Sequence, residues 1–189
     1  MQRICVYCAS NLGVREEYAA AARHLAAVLV EGEYELVYGG SAKGVMGILA
    51  DAVLERGGIV HGVIPELLLD KEISHNGLTQ LHVVKTMHER KSLMESLSDA
   101  FIALPGGFGT LEELVEILTW GQLHIHAKPV GLINVAAYYD GLIAYLDHAV
   151  AEGFLPAASR DMLHCADEPV ALIEAFKSYQ PPRTDKWMS

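Results

Sequence analysis

Nowhere do the 189 residues stay apolar for the roughly eighteen positions that a membrane-spanning helix needs. The opening MQRICVYCAS also lacks the basic segment, separate apolar core and cleavage site of a secretory leader, so a cytoplasmic location without a membrane partner is expected. Positive charge is scarce: 14 lysines and arginines stand against 24 aspartates and glutamates, a formal net charge of -10. Phosphate backbones are held chiefly by clustered cations, which argues against a nucleic-acid polymer as partner. A small anionic ligand stays compatible, because main-chain N–H groups bind one locally. There are only three cysteines, an odd set unsuited to a disulfide framework. Cys5 and Cys8 have C-x-x-C spacing but fall inside an apparent strand, so all three are expected as buried, reduced thiols rather than as zinc ligands or a redox pair. Repeats, low-complexity tracts and linker-like stretches are missing too. One domain over residues 1–180 with a tail at 181–189 is the expected organisation, and 51% hydrophobic content suffices for a substantial core.

What is present is alternation. Short β-rich apolar runs at 4–7, 36–38, 59–64, 81–84, 100–104 and 130–134 read as strands. Stretches with apolar positions near the 3.6 period at 16–30, 45–56, 87–98, 111–118, 139–151 and 169–179 read as helices. A βαβ series of this kind gives an α/β fold: a doubly wound, mostly parallel sheet covered on both faces. In such sheets ligands collect beyond the carboxyl ends of the strands, so the informative residues are those that follow strands.

Three strand ends carry glycines or small polar residues. CASNLG (8–13) follows the first, where Ser10 suits either a ligand oxygen or the turn itself. YGGSAKGVMG (38–47) follows the second. It satisfies neither the Walker spacing nor G-x-G-x-x-G, yet Gly39, Gly40 and Gly44 around Ser41 permit close approach of a ligand to main-chain amides. A tight turn with close helix packing accounts for Gly44 and Gly47 equally well. LPGGFGTLEE (104–113) follows the fifth: Gly106, Gly107 and Gly109 flank Phe108, Thr110 adds a hydroxyl, and a helix from Leu111 brings a positive N-terminal end. That describes a phosphate cradle. It also fits a turn in which Thr110 is the N-cap and Glu113 its capping-box partner, and both can hold together. Upstream, TMHERKSLM (86–94) opens the helix after the fourth strand, and adjacent strand ends would bring Arg90 or Lys91 near Glu112 and Glu113 across a cleft. The alternative is a solvated Glu89–Arg90–Lys91 surface, with His88 structural.

The combination of YGGSxxGxMG (38–47), MHERK (87–91) and PGGFGTLEE (105–113) resembles the Lonely Guy family, the cytokinin riboside 5'-monophosphate phosphoribohydrolases, whose members are often mislabelled lysine decarboxylases. The likeness covers nearly the whole chain and includes WGQL (120–123) and KP (128–129). It implies a Rossmann-like domain that hydrolyses the N-glycosidic bond of a nucleoside 5'-monophosphate to free base and ribose 5-phosphate, with no cofactor and no metal. By this likeness Arg90 and Glu113 are the catalytic pair, with Glu112 as the competing acid. Gly106, Gly107, Phe108, Gly109, Thr110, Lys91 and Glu72 help to bind the nucleotide, together with Ser10, Gly39, Gly40, Ser41, Gly44, Met46 and Met87 in the matching motifs. Cleavage builds positive charge on the ribose, which a carboxylate near the anomeric carbon stabilises while orienting water. Arginine stays protonated, so it would position and donate rather than act as a general acid.

The first loop departs from the pattern, reading Cys-Ala-Ser-Asn where the family commonly has Cys-Gly-Ser-Ser; Ala9 restricts backbone approach there and weakens Ser10 as a ligand. Family members assemble as dimers or, in some branches, hexamers, so a homodimer or larger homo-oligomer is implied. Leu114, Ile117, Leu118 and Trp120 offer an apolar face for it, or simply cover the sheet. Three rivals compete. A pyridoxal-phosphate decarboxylase needs a Schiff-base lysine, yet Lys43, Lys71, Lys85, Lys91 and Lys128 lack a cofactor context. A non-catalytic nucleotide carrier or sensor would keep the glycine loops and dispense with Arg90 and Glu113. A dinucleotide dehydrogenase lacks its third glycine and its acidic residue after the second strand.

Overall fold

The computed structural model describes residues 1–69 and 74–182. Its strands are β1 (Arg3–Tyr7), β2 (Glu35–Tyr38), β3 (Val60–Pro65), β4 (Gln80–Val84), β5 (Ala100–Ala103), β6 (Val130–Ile133) and β7 (Leu163–Ala166). They form one sheet in the order β4-β3-β2-β1-β5-β6-β7, with every neighbouring pair parallel. Five of the six crossovers carry α-helix: α1 (Glu16–Glu31), α2 (Gly44–Leu54), α3 (Met87–Leu97), α4 (Phe108–Gln122), and α5 (Asp140–Ala151) with the four-residue α6 (Ala157–Arg160). The described residues between β3 and β4 hold only a short 3-10 turn (Glu66–Leu68), and α7 (Pro169–Lys177) follows β7.

The period-2 alternation of β1 decides which side chain enters which core. Ile4 and Val6 pack with Leu25, Leu29, Leu49 and Ile173 under α1, α2 and α7. Cys5 and Tyr7 pack with Val37, Met94, Leu114 and Ile117 under α3 and α4. Leu114 and Ile117 are 1% and 2% exposed, so they cover the sheet. The strand order reverses between β1 and β5, and the loops leaving those two strands diverge to opposite faces, opening a crevice there. Among the described residues no helix is long and apolar enough to cross a membrane.

Three features differ from the sequence reading. First, α4 begins at Phe108 rather than at Leu111, with Gly107 at its N-cap and no side-chain cap; Thr110 lies inside the first turn, 3% exposed. The T-x-x-E spacing occurs twice in this chain, and it caps the other helix: the Thr86 hydroxyl accepts from Glu89 N–H (3.1 Å), while Glu89 Oε2 accepts from Lys85 N–H (2.8 Å). Second, β7 and α6 went unseen, because an edge strand reading Leu-His-Cys-Ala has no apolar run and no clean alternation to betray it. Third, that edge position leaves Cys165 exposed, whereas Cys5 and Cys8 are buried as expected. The expected tail falls mostly on residues 183–189, outside the described residues.

Candidate active site

At the switch point a cavity of about 260 Å³ opens against the ends of β1 and β2 and the first turn of α4. Ser10, Gly39, Met46, Arg90, Gly107, Phe108, Gly109, Thr110 and Glu113 line it among the residues singled out from sequence. Val6, Tyr7, Cys8, Ala9 and Asn11 line it as well. Val6 and Tyr7 read from sequence only as strand core, and nothing in an apolar run marks its last residues as facing a ligand.

Arg90 reaches the cavity from the first turn of α3. Its Nε donates to the Val63 carbonyl (3.0 Å) and Nη2 to the Gly39 carbonyl (3.1 Å), which fixes the guanidinium across the ends of β3 and β2. Gly39 is required for that approach, since a Cβ there would stand 2.2 Å from Nη2. The remaining edge faces Glu113, with Nη1 3.9 Å from Oε1. Gly44, at φ +60°, serves a different approach: a Cβ would lie 2.3 Å from the Ser10 carbonyl carbon, so the β1 and β2 loops touch backbone to backbone. Met46 N–H donates to the Ala9 carbonyl (3.1 Å) and ties the same two loops.

The two adjacent acids part company. Glu113 lines the cavity with a side chain 12% exposed. Glu112, one residue and about 100° round the helix, is 52% exposed and binds Lys91 Nζ at 2.5 Å. Lys91 also meets Glu116 at 2.9 Å. Burial works against its charge, but the Glu112 and Glu116 hydrogen bonds outweigh that and raise its pKa. Lys91 thus staples α3 to α4, outside the cavity lining.

The other residues singled out from sequence lie around the cavity rather than on its wall. Ser41 is fully buried; its carbonyl accepts from Tyr38 Oη (3.2 Å) and its Oγ accepts from Lys43 N–H (3.1 Å), which shapes the β2 turn with Gly40. Met87 is exposed at the start of α3. Gly106 borders an adjoining hollow. Glu72 falls outside the described residues.

Inside the cavity, burial and the Glu113 charge push the Cys8 thiol far above its ordinary pKa, and burial does the same to the Tyr7 phenol, so neither is a nucleophile or base at neutral pH. The α4 N-terminus supplies the complementary charge. Its first amides have no intrahelical acceptor and carry the positive end of the helix dipole. The start of α4 therefore offers anion-binding amides and, about one turn further along the same helix, a carboxylate beside a fixed cation. Two residues with no site role in the sequence reading hold the loop that leads from β5 into α4: Tyr138 Oη donates to the Gly106 carbonyl and Tyr139 Oη to the Leu104 carbonyl, both at 2.7 Å.

The model of a family described as "Possible lysine decarboxylase" matches residues 46–176. An Oryza sativa subsp. japonica protein, "Probable cytokinin riboside 5'-monophosphate phosphoribohydrolase LOGL9", is 48% identical over 180 residues, covering 95% of this chain and 79% of its own. Arabidopsis thaliana "Cytokinin riboside 5'-monophosphate phosphoribohydrolase LOG5" is 47% identical with the same coverage. The chain belongs to the Lonely Guy family.

The fold extends beyond Lonely Guy sequences. The molybdenum cofactor carrier protein of Chlamydomonas reinhardtii superposes with a TM-score of 0.67 at 21% identity, over 93% of this chain and 96% of that one. The molybdenum cofactor binding protein of Rippkaea orientalis gives 0.69 at 23% identity, over 94% and 96%. At such identities the shared property is the fold. The decarboxylase description finds no chemical counterpart in this Lonely Guy cavity: among the described residues no lysine lines it, and a Schiff base requires one.

Proposed function

We propose that this chain hydrolyses the N-glycosidic bond of a purine nucleoside 5'-monophosphate of the cytokinin type, releasing free base and ribose 5-phosphate. The observation that carries this reading is that Glu113, a main-chain-anchored Arg90 and the open first turn of α4 share one cavity. The 5'-phosphate takes the amides of Phe108, Gly109 and Thr110, which need no global positive charge. The ribose lies against Glu113. As the bond from C1' to the base nitrogen lengthens, positive charge spreads over the sugar ring and the carboxylate stabilises it. Water, oriented by Glu113, adds to C1' and passes a proton to the Glu113 carboxylate, while the bonding electrons leave with the base. The base nitrogen takes up a proton to give the free base, which restores the balance of one water consumed. Two donors of Arg90 are committed to the Val63 and Gly39 carbonyls. A guanidinium carries five, and those on Nη1 serve Glu113 and the departing base. Glu112 acts only through the Lys91 staple.

We place a homodimer contact on the outer face of α4 and α5. No residue of α5 is buried, and Leu111, Val115, Tyr145 and Phe154 are exposed at 37%, 46%, 66% and 88%. The protein works in the cytoplasm on a small-molecule substrate. The test is to incubate wild type, Arg90→Ala and Glu113→Ala with AMP and with isopentenyladenosine monophosphate and to quantify free base. Wild type should release base and both variants should not. Release by wild type at the uncatalysed rate, with tight nucleotide binding, would make the chain a carrier instead.

A further inference from the structure

Two consecutive alanines, Ala136 and Ala137, occupy the left-handed region at φ 51° and 59°, where a Cβ crowds the following carbonyl. Such conformations persist only where the surroundings hold them, and they gather at functional sites. Here Asn134 does the holding: its Oδ1 accepts from Tyr139 N–H and its Nδ2 donates to Asp140 Oδ1, both at 2.7 Å. The turn delivers two tyrosines to the end of β5. Tyr139 bonds the Leu104 carbonyl, and Tyr138 bonds the Gly106 carbonyl. The Tyr138 ring packs edge-on against Tyr18 (5.7 Å between centroids) and Tyr139 (5.1 Å), so its hydroxyl is aimed.

The bond to Gly106 acts on the next residue. The Gly106 carbonyl and the Gly107 N–H belong to one planar trans peptide and point in opposite directions. Gly107 lies between two hollows: the cavity of Arg90 and Glu113, and a second of about 170 Å³ bordered by Tyr18, Pro105 and Tyr138. Tyr138 borders only the second. Its hydroxyl draws the carbonyl to that side and turns the Gly107 N–H toward the first. A Gly-Gly peptide flips at low steric cost, and a flip would present a carbonyl oxygen to an anion. We infer that Tyr138 is a positioning residue for the substrate's phosphate: by holding the Gly106 carbonyl it keeps the Gly107 N–H facing the cavity.

This rests on reading the α4 loop as the phosphate cradle, and the test separates the two. Wild type, Tyr138→Phe and Tyr139→Phe are compared for KM and kcat with the nucleoside 5'-monophosphate, and for inhibition by ribose 5-phosphate and by the matching phosphate-free nucleoside. Tyr138→Phe keeps the ring packing; it should raise KM and the ribose 5-phosphate inhibition constant about 5- to 10-fold, as loss of one hydrogen bond allows, with kcat within about twofold and nucleoside inhibition unchanged. Tyr139→Phe is the comparator, because the Leu104–Pro105 peptide has no N–H to aim; it should lower thermal stability and leave these constants alone. Unchanged constants in Tyr138→Phe, equal shifts for nucleoside and ribose 5-phosphate, or the same KM rise in Tyr139→Phe would each overturn the inference. Indifference of wild type to ribose 5-phosphate would instead bring down the cradle beneath it.

Discussion

Arg90 Nη1 stands 3.9 Å from Glu113 Oε1, with the two side chains only 7% and 12% exposed. That separation exceeds a charge-assisted hydrogen bond of about 2.7–2.9 Å. What sets the arrangement is the anchoring of Arg90 on two main-chain carbonyls. A charge pair so shielded from water interacts more strongly than its surface equivalent. Glu113→Gln keeps the shape and removes the charge, so kcat for base release should fall about 10²- to 10³-fold, the scale of losing one preorganised electrostatic group. Glu112→Gln should stay within about threefold, since an exposed ion pair contributes about 1 kcal/mol or less. Initial rates of base release rank the two, and the reverse ranking would move the role to Glu112.

Gly39→Ala tests the seat of Arg90. The new methyl would lie 2.2 Å from Nη2 and 3.0 Å from Met46 Sδ, so the guanidinium must move off the Gly39 carbonyl. A displacement of about 1 Å in a catalytic group costs on the order of 10²-fold, and crowding a packed site costs about 1–3 kcal/mol of stability. Gly107→Ala is the informative contrast. A Cβ there meets nothing within 4 Å, so the urea midpoint should match wild type while the methyl intrudes on the phosphate and raises KM. Kinetics and urea unfolding on both variants check the split.

The parallel sheet was legible because βαβ alternation leaves few other arrangements, and the candidate site because glycines and charged residues follow strand ends. What distinguishes Glu113 from Glu112 was not. Their identities are the same, and only the true start of α4 at Phe108 fixes which one points into the crevice. The capping-box pattern at 110–113 misled for a related reason: local spacing proposes a cap, but Thr110 is drawn inward to 3% exposure by the packing of the whole loop. From sequence Tyr139 is only the first residue of a helix and Tyr138 carries no reading at all. Their roles depend on left-handed alanines that no propensity scale predicts.

Ala137→Gly should stabilise the protein. At φ 59° the alanine bears a steric cost that glycine does not. Against this stands the greater chain entropy that glycine brings to the unfolded state. The net expectation is a gain of about 0.5–1 kcal/mol, read as a higher urea midpoint at unchanged m-value. A loss of stability would mean that the methyl itself packs usefully and that the turn is less strained than its backbone angles indicate.

Acid should weaken the fold from a defined point. His126 is buried and has both ring nitrogens committed: Nε2 donates to the Ile117 carbonyl (2.8 Å) and Nδ1 accepts from Lys128 N–H (3.1 Å). A second proton would have to sit on Nδ1, facing that N–H. Burial accordingly lowers the His126 pKa, even though the Ile117 carbonyl pulls the other way. Burial lowers those of His82 and His164 as well. A folded pKa below the unfolded value of about 6.5 means that the unfolded chain binds the proton first as pH falls. The stability contributed by neutral His126 is therefore present above about pH 6.5 and is lost as pH drops toward the folded pKa, by at most about 1.4 kcal/mol per pH unit for each such histidine. Urea unfolding in half-unit steps from pH 8 to pH 5 should show this decline in wild type and a shallower one in His126→Asn, by up to one histidine's share. Equal slopes in the two proteins would mean that the native state accepts the proton on His126 without penalty, contrary to the hydrogen-bond arrangement around its ring.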